Sequence, residues 1–133
     1  MSEKSSYIPL CDLEVYKLAR EISKAAWKIF EMLSWEDKKV MGFQFVESAD
    51  SVGANIAEGY GRFHYLDKIK FYYNARGSYK ECRFHWLSLL LEREKITLDE
   101  FNKISTIAQN FEVKLSNFIS KTYSAKETMM IKK

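Results

Sequence analysis

Proline occurs once in the 133 residues and glycine five times. An all-β sandwich needs many turns, so this scarcity argues against one, and it also excludes a collagen-like repeat. Cysteine is equally sparse. Cys11 and Cys82 lie far apart with no partner spacing, which reads as two reduced thiols and not as a disulfide framework. No run approaches the roughly 20 uncharged apolar residues of a membrane span. The densest stretch, residues 87–91, is broken by Ser88 and followed by Glu92 and Arg93. Residues 1–6 lead into no signal-peptide core. These absences predict a cytoplasmic chain with no membrane partner.

Strong charge of one sign is also missing. A balance of 21 basic against 18 acidic residues, net +3, permits a polyanion partner without demanding one. The signatures of catalysis are absent as well: no Gly-rich phosphate loop, Gly-x-Ser-x-Gly elbow, His-Glu-x-x-His or Cys-x-x-Cys. Cys82 and His85 stand at i,i+3 and could form half a zinc site, but no second pair of ligands accompanies them. Neither His64 nor His85 has a glutamate three residues earlier, as a di-iron bundle site requires. The expectation is no metal, no cofactor and no enzymatic activity.

What the chain does have is a 47% hydrophobic content arranged with a helical period. A single domain of this length removes roughly two-thirds of its unfolded-chain surface from water. After a polar lead over 1–11, Asp12 stands as an N-cap before Leu13, Leu18, Ala19, Ile22, Ala26, Ile29, Phe30 and Leu33, predicting a helix over about 12–33. Ser34 caps a second, over 37–58, whose apolar series is Val40, Phe43, Val46, Ala49, Val52, Ile56 and Ala57. That helix closes at Gly59-Tyr60-Gly61, where glycine can take the left-handed conformation. A third helix, 64–94, is apolar on nearly every side near Trp86–Leu91 and must be covered on more than one face. Thr97 and Glu100 form a capping box for a fourth, 98–122, before a polar tail over 123–133. Four amphipathic helices with short connections predict an all-α, antiparallel up-down-up-down four-helix bundle.

Two basic strips stand out. Lys17, Arg20, Lys24 and Lys28 share an arc of about 80° on the first helix. Glu14, Glu21 and Glu31 fall beside them, so the strip reads first as a salt-bridged solvent face and second as a phosphate track. Between residues 62 and 83, Arg62, His64, Lys68, Lys70, Arg76, Lys80 and Arg83 interleave with Phe63, Tyr65, Phe71, Tyr72, Tyr73 and Tyr79. Rings beside cations suit single-stranded RNA. A structural reading competes: Ile69, Arg76, Arg83 and Leu90 repeat by sevens, and an arginine in such a seam needs a carboxylate. Asp50 and Glu47 are the predicted partners of Arg76.

Asp12-Leu13-Glu14-Val15-Tyr16-Lys17-Leu18-Ala19, Asn55-Ile56-Ala57-Glu58-Gly59-Tyr60-Gly61-Arg62, Phe71-Tyr72, and Ala75-Arg76-Gly77-Ser78 with Glu81 following occur in the order found in one family. Over about residues 12–120 the chain resembles the four helix bundle proteins encoded in 23S rRNA intervening sequences. Those are related to the accessory variability determinant of diversity-generating retroelements. The resemblance implies a left-handed bundle assembling as a homopentamer, a non-enzymatic scaffold associated with structured RNA or a ribonucleoprotein. It also implies structural roles for Asn55, Glu58, Gly59, Tyr60, Gly61, Arg62, Arg76, Gly77, Ser78 and Glu81. The candidate RNA contacts are Lys17, Arg20, Lys24, Lys28, Arg62, Lys68, Lys70, Lys80 and Arg83. The alternative is a protein–protein adaptor for a reverse transcriptase or other polymerase. Where the family carries two arginines before its Asn-Ile-Ala-Glu-Gly motif, this chain has Val46 and Glu47, and Gly53 replaces a common proline.

Overall fold

The structure, a computed structural model, describes residues 7–132, with side chains over residues 7–125. Residues 1–6 of the expected lead and the side chains of residues 126–133 of the expected tail lie outside the described residues. Four helices account for the fold, and no strand occurs among the described residues. Helix α1 is Glu14–Met32. Helix α2 spans residues 35–60 as Trp35–Asp37, a π-helical turn Lys38–Gly42, and Phe43–Tyr60. Helix α3 spans residues 65–92 as Tyr65–Lys80, a second π-helical turn Glu81–Leu87, and Ser88–Glu92. Helix α4 is Leu98–Lys132, and so continues ten residues past the expected fade at Thr122. Both α1 and α3 pack against α2 and α4, a closed ring consistent with a four-helix bundle.

Local chemistry sets several of the helix ends. Ser34 Oγ accepts from the Asp37 N–H at 3.1 Å. The Thr97 capping box is reciprocal: Glu100 N–H donates to Thr97 Oγ1 at 3.1 Å, and Thr97 N–H donates to Glu100 Oε1 at 2.8 Å. Asp12 does not cap α1. It ends a short 3₁₀ turn, Leu10–Asp12, and Leu13 occupies the cap position without a side-chain bond. The segment before this turn is tied down: the Tyr60 hydroxyl donates to the Ile8 carbonyl, and Tyr7 stacks on the Tyr60 ring.

The core runs through Ile22, Phe45, Val52, Ile56, Tyr72, Tyr79, Leu87, Leu90, Phe111 and Leu115, all at most 1% exposed. In the first turns of α2 it uses Met41 and Phe45; the expected Val40 and Phe43 are exposed. Apolar residues surround that stretch of helix, so their spacing alone does not set the inward face. In α3 the buried positions step Ala75, Tyr79, Cys82, then five residues to Leu87, then Leu90. The π turn supplies that step, because its wider winding inserts one residue into the helix. Two bonds span the same interval: Trp86 Nε1–H donates to Glu81 Oε2 at 2.8 Å, and Ser88 Oγ to the Arg83 carbonyl at 3.4 Å.

No glycine has a positive φ. Gly59 is therefore not a left-handed helix stop; it is helical and buried where α3 crosses. A Cβ there would lie 2.7 Å from Phe71 Cβ and 2.8 Å from Tyr72 Cε1. The left-handed residue is Glu94, φ 57°, just past α3. Lys95 N–H bonds the Leu90 carbonyl and Glu94 N–H the Leu91 carbonyl, a Schellman closure. Glutamate carries a Cβ penalty in that conformation. Glu94→Gly should therefore stabilise the chain by about 1 kcal/mol, read as a rise in Tm. An unchanged or lower Tm would contradict the strained cap.

Candidate nucleic-acid interface

The α1 strip forms because the apolar residues of this helix occupy one face, leaving Lys17, Arg20, Lys24 and Lys28 on the opposite side, all exposed. The expected salt-bridged face does not form. None of the four has a carboxylate within 4.0 Å among the described residues, and Glu14 instead reaches Lys114 on α4 at 3.0 Å. Arg20 donates to the Tyr16 hydroxyl at 2.9 Å and lies 5.7 Å from its ring centroid. An open groove of about 670 Å³ runs between this strip and α2, with Tyr16 and Trp27 among its walls and Gly53 in its floor. Asp50 lines the groove from the α2 side.

The second basic set divides. Lys68 donates to the Tyr60 carbonyl at 2.9 Å and sits 5.3 Å from the Tyr60 ring. It thus caps α2 from a half-buried site, and burial lowers its pKa. Arg83 is held by the Tyr79 hydroxyl at 2.7 Å and Glu112 at 3.4 Å. Arg62 pairs with Glu58 at 3.0 Å and lies 4.8 Å from the Phe71 ring. Lys70 and Lys80 are exposed and carry no ion pair among the described residues. Tyr72 and Tyr79 are core residues, so their rings are closed to bases.

The ion pair expected between Arg76 and Asp50 or Glu47 does not form. Arg76 donates to Ser116 Oγ on α4 at 3.2 Å and lies 5.4 Å from the Tyr73 ring, while Asp50 and Glu47 are exposed. Arg76 and Arg83 do share a seam, but it faces α4, and its carboxylate is Glu112. Tyr79 completes that cluster by donating to Glu112 at 2.5 Å; burial first, then Glu112, push its hydroxyl up to about 12.

Most of the sequence signature serves the α2–α3 corner. Asn55 Nδ2 bonds the Ser51 carbonyl at 2.9 Å, and Glu58 holds Arg62. Gly59 admits α3, Gly61 caps α2, and Tyr60 meets Phe118 with ring centroids 6.3 Å apart. Glu81 holds the Trp86 indole in the π turn, and Ser78 is half-buried. Gly77 is different: it is exposed, and nothing lies within 4 Å of where its Cβ would be.

Sequence reasoning assigned Phe30 and Phe43 to the inward faces of their helices and passed over the α1–α2 corner, where half-buried Phe30 and exposed Phe43 form a run of ring contacts with Trp27 and Trp35 beside Lys38 and Lys39. A signal was available: Trp27 falls on the polar side of α1, beside Arg20 and Lys24 on a helical wheel.

Cys82 and His85 do not converge. Cys82 is 2% exposed, its thiol pushed up to about 12 by burial, whereas His85 is exposed against Trp86. Among the described residues no group of three or more His, Cys, Asp or Glu is placed to hold a metal, and no helix is long and apolar enough to cross a membrane. Cys11 is exposed. A thiol reagent at neutral pH should therefore label one cysteine per folded chain quickly and the second only on unfolding. Fast labelling of both would contradict the burial of Cys82.

The family model described as 23S rRNA-intervening sequence protein matches residues 11–117. No curated protein matches the chain. The chain is similar to a crystal structure of a protein of unknown function from the S23 ribosomal protein family of Bacteroides thetaiotaomicron VPI-5482. The TM-score is 0.72 at 26% identity, covering 79% of this chain and 97% of that one.

Proposed function

The chain belongs to the 23S rRNA-intervening sequence protein family, and from that premise we propose that it is a non-enzymatic, oligomeric scaffold that binds structured RNA in the cytoplasm. The observation that carries this reading is the α1 strip. Four cations are spread over 12 residues of one rigid helix, about 16 Å from first to last, with no carboxylate partner within 4.0 Å among the described residues. Lysines and arginines in a row, free of ion pairs, bind a phosphate backbone and release its counterions. On α3 only Lys70 and Lys80 are comparably available, so α1 is the principal contact and Lys68 and Arg83 are structural.

The assembly part of the proposal is an antiparallel, left-handed bundle forming a homopentamer. Contacts along α3 and α4 support the antiparallel order: Arg83 meets Glu112, and Arg76, two turns earlier, meets Ser116 one turn later. Leu66, Tyr73 and Phe84, respectively 64%, 44% and 55% exposed, lie along the outer side of α3 and suit contact with another copy. The solution mass should be five times 15.7 kDa. This apolar side of α3 also favours a second reading, a protein adaptor for a reverse transcriptase or other polymerase.

The test is an anisotropy titration with structured RNA at low and physiological salt. Binding should be steeply salt-dependent. Lys17→Glu, Lys24→Glu and Lys28→Glu together should weaken it by at least a hundredfold and flatten the log–log salt slope by about two to three. Arg83→Ala should lower stability and leave that slope unchanged. Unaltered affinity in the triple variant removes α1 from the site. No binding at low salt, where attraction is strongest, retires the RNA reading in favour of the adaptor.

A further inference from the structure

The α1–α2 corner carries rings that the core does not need. Trp27 is 49% exposed, Trp35 62% and Phe43 47%, although aromatic side chains of this size are ordinarily among the better covered. They are held as a set. Trp27 stacks on Phe30 at 5.1 Å between centroids, Phe30 meets Phe43 at 5.7 Å, and Phe43 meets Trp35 edge-on at 6.0 Å. Phe30, the inner member, is clamped against Gly42 in the π turn, where a Cβ would come within 2.9 Å of Phe30 Cδ1. A side chain at position 42 would displace the Phe30 ring. The π turn therefore seats the set against the end of α1, and π turns recur at functional sites.

Charge surrounds the rings. Lys38 Nζ lies 5.1 Å from the Phe30 centroid and Lys39 Nζ 6.0 Å from the Trp35 centroid. Lys24 approaches from α1, lining one groove with Trp27, and none of these three lysines has an ion pair among the described residues. The carboxylates of the corner are Glu31, Glu36 and Asp37, and Asp37 is occupied by Lys95 at 3.1 Å. Exposed, pre-positioned rings bordered by unpaired cations match an unpaired nucleotide, which offers a ring to stack and a phosphate to bind. Duplex RNA keeps its bases stacked internally and offers mainly phosphates and hydroxyls. The groove beside Arg20 and Lys24 starts at Trp27 and leads from this corner along α1.

We propose that the corner binds unpaired nucleotides, with bases stacked on Trp27 and Trp35 and phosphates on Lys24, Lys38 and Lys39. This deepens the RNA-binding reading and rests on it: the α1 strip holds the backbone, and the corner selects single-stranded segments such as a loop or an end.

The experiment uses tryptophan emission, since Trp86 is the third of three tryptophans and its half-buried, hydrogen-bonded indole serves as an internal reference. A uridine-rich 20-mer should quench emission, and Trp27→Ala with Trp35→Ala should abolish the quenching. Each replacement should weaken 20-mer binding roughly tenfold; Trp27→Phe should restore most of the loss. A 20-base-pair RNA duplex should bind the double variant as well as it binds the parent, without quenching. Retained circular dichroism and Tm confirm that the exposed replacements leave the fold intact. If 20-mer affinity is unchanged in the double variant while duplex binding persists, the corner is not a base site and the α1 reading stands. If neither RNA binds, both readings fall. Quenching by anionic vesicles but not by the 20-mer, or loss of oligomer mass on replacing the tryptophans, assigns the corner to a membrane surface or a second copy and overturns the proposal.

Discussion

Gly59→Ala is expected to lower Tm by roughly 7 °C, while the same substitution at Gly77 raises it by roughly 3 °C. Both glycines are helical and belong to the same sequence signature, so helix propensity favours alanine at each by about 1 kcal/mol. Surroundings decide the sign. At Gly59 the added methyl would meet Phe71 Cβ at 2.7 Å, Tyr72 Cε1 at 2.8 Å and the Lys68 carbonyl oxygen at 3.1 Å. Two of those atoms are backbone or next to it and cannot swing aside, so α3 must move away from α2. Overpacking of that kind costs about 3 kcal/mol, leaving a net loss of about 2 kcal/mol after the propensity gain. At Gly77 the methyl meets nothing within 4 Å, and only the gain remains. Thermal denaturation of both variants checks the pair; equal shifts of one sign would mean that the α2–α3 crossing is not as close as described.

Alkaline solution should unfold the protein progressively from about pH 9. Cys82, whose ordinary value is 9.0, and Tyr79, whose ordinary value is 10.0, are both pushed up to about 12 in the folded chain, and burial leads in each case. Burial likewise raises Tyr72 and Tyr60. An acid whose pKa is raised on folding holds its proton in the native state at a pH where the unfolded chain has released it. Stability is then fully present below the unfolded value and declines as pH rises through the folded one. The window for the thiol is pH 9 to 12 and for Tyr79 pH 10 to 12. Lys68 acts in the opposite sense, because its pKa is lowered on folding, but it stands alone against four groups. Urea midpoints measured from pH 7 to 11 should fall steadily above pH 9. Tyr79→Phe should cost about 1 kcal/mol at pH 7, where a buried hydrogen bond is lost, and should make the decline above pH 10 shallower. A midpoint constant to pH 11 would contradict the burial of these groups.

Features that depend on a few neighbouring residues were legible in the sequence. Ser34 and the Thr97–Glu100 box announce helix starts by their own side-chain chemistry, and the α1 core repeats at helical spacing, apart from Phe30, which turns toward α2, and Asp12, which does not cap. Features set by a partner helix were not. The heptad containing Arg76 shows that a seam exists but not which neighbour it faces, and Glu112 lies 36 residues further along the chain. Gly59 stands out in the sequence for a different reason from the one the structure shows: composition suggests a turn, whereas close approach depends on Phe71 and Tyr72. The left-handed Glu94 carries no residue-type signal at all. Among the basic residues, α1 reads correctly as a surface strip because its polar face is continuous. On α3 the same residue types include two, Lys68 and Arg83, that hold helices together. Only three-dimensional neighbours separate those uses. The tryptophan corner follows from the wheel of α1 combined with the start of α2, two elements that spacing within either one does not relate.

The five-residue step at Glu81–Leu87 makes α3 the equivalent of a regular helix with one residue added. Core positions on either side keep their inward direction because the extra residue is absorbed as a local widening. A relative with a regular helix here would align with a one-residue gap near Phe84 or His85, while the flanking core positions stay in phase. Excising one of those exposed residues is the corresponding protein-engineering operation. It would let the helix close regularly and return Tyr79, Cys82, Leu87 and Leu90 to ordinary three- and four-residue spacing. Deletion anywhere between Ile69 and Tyr79 has no such slack to draw on and would rotate half the helix out of the bundle.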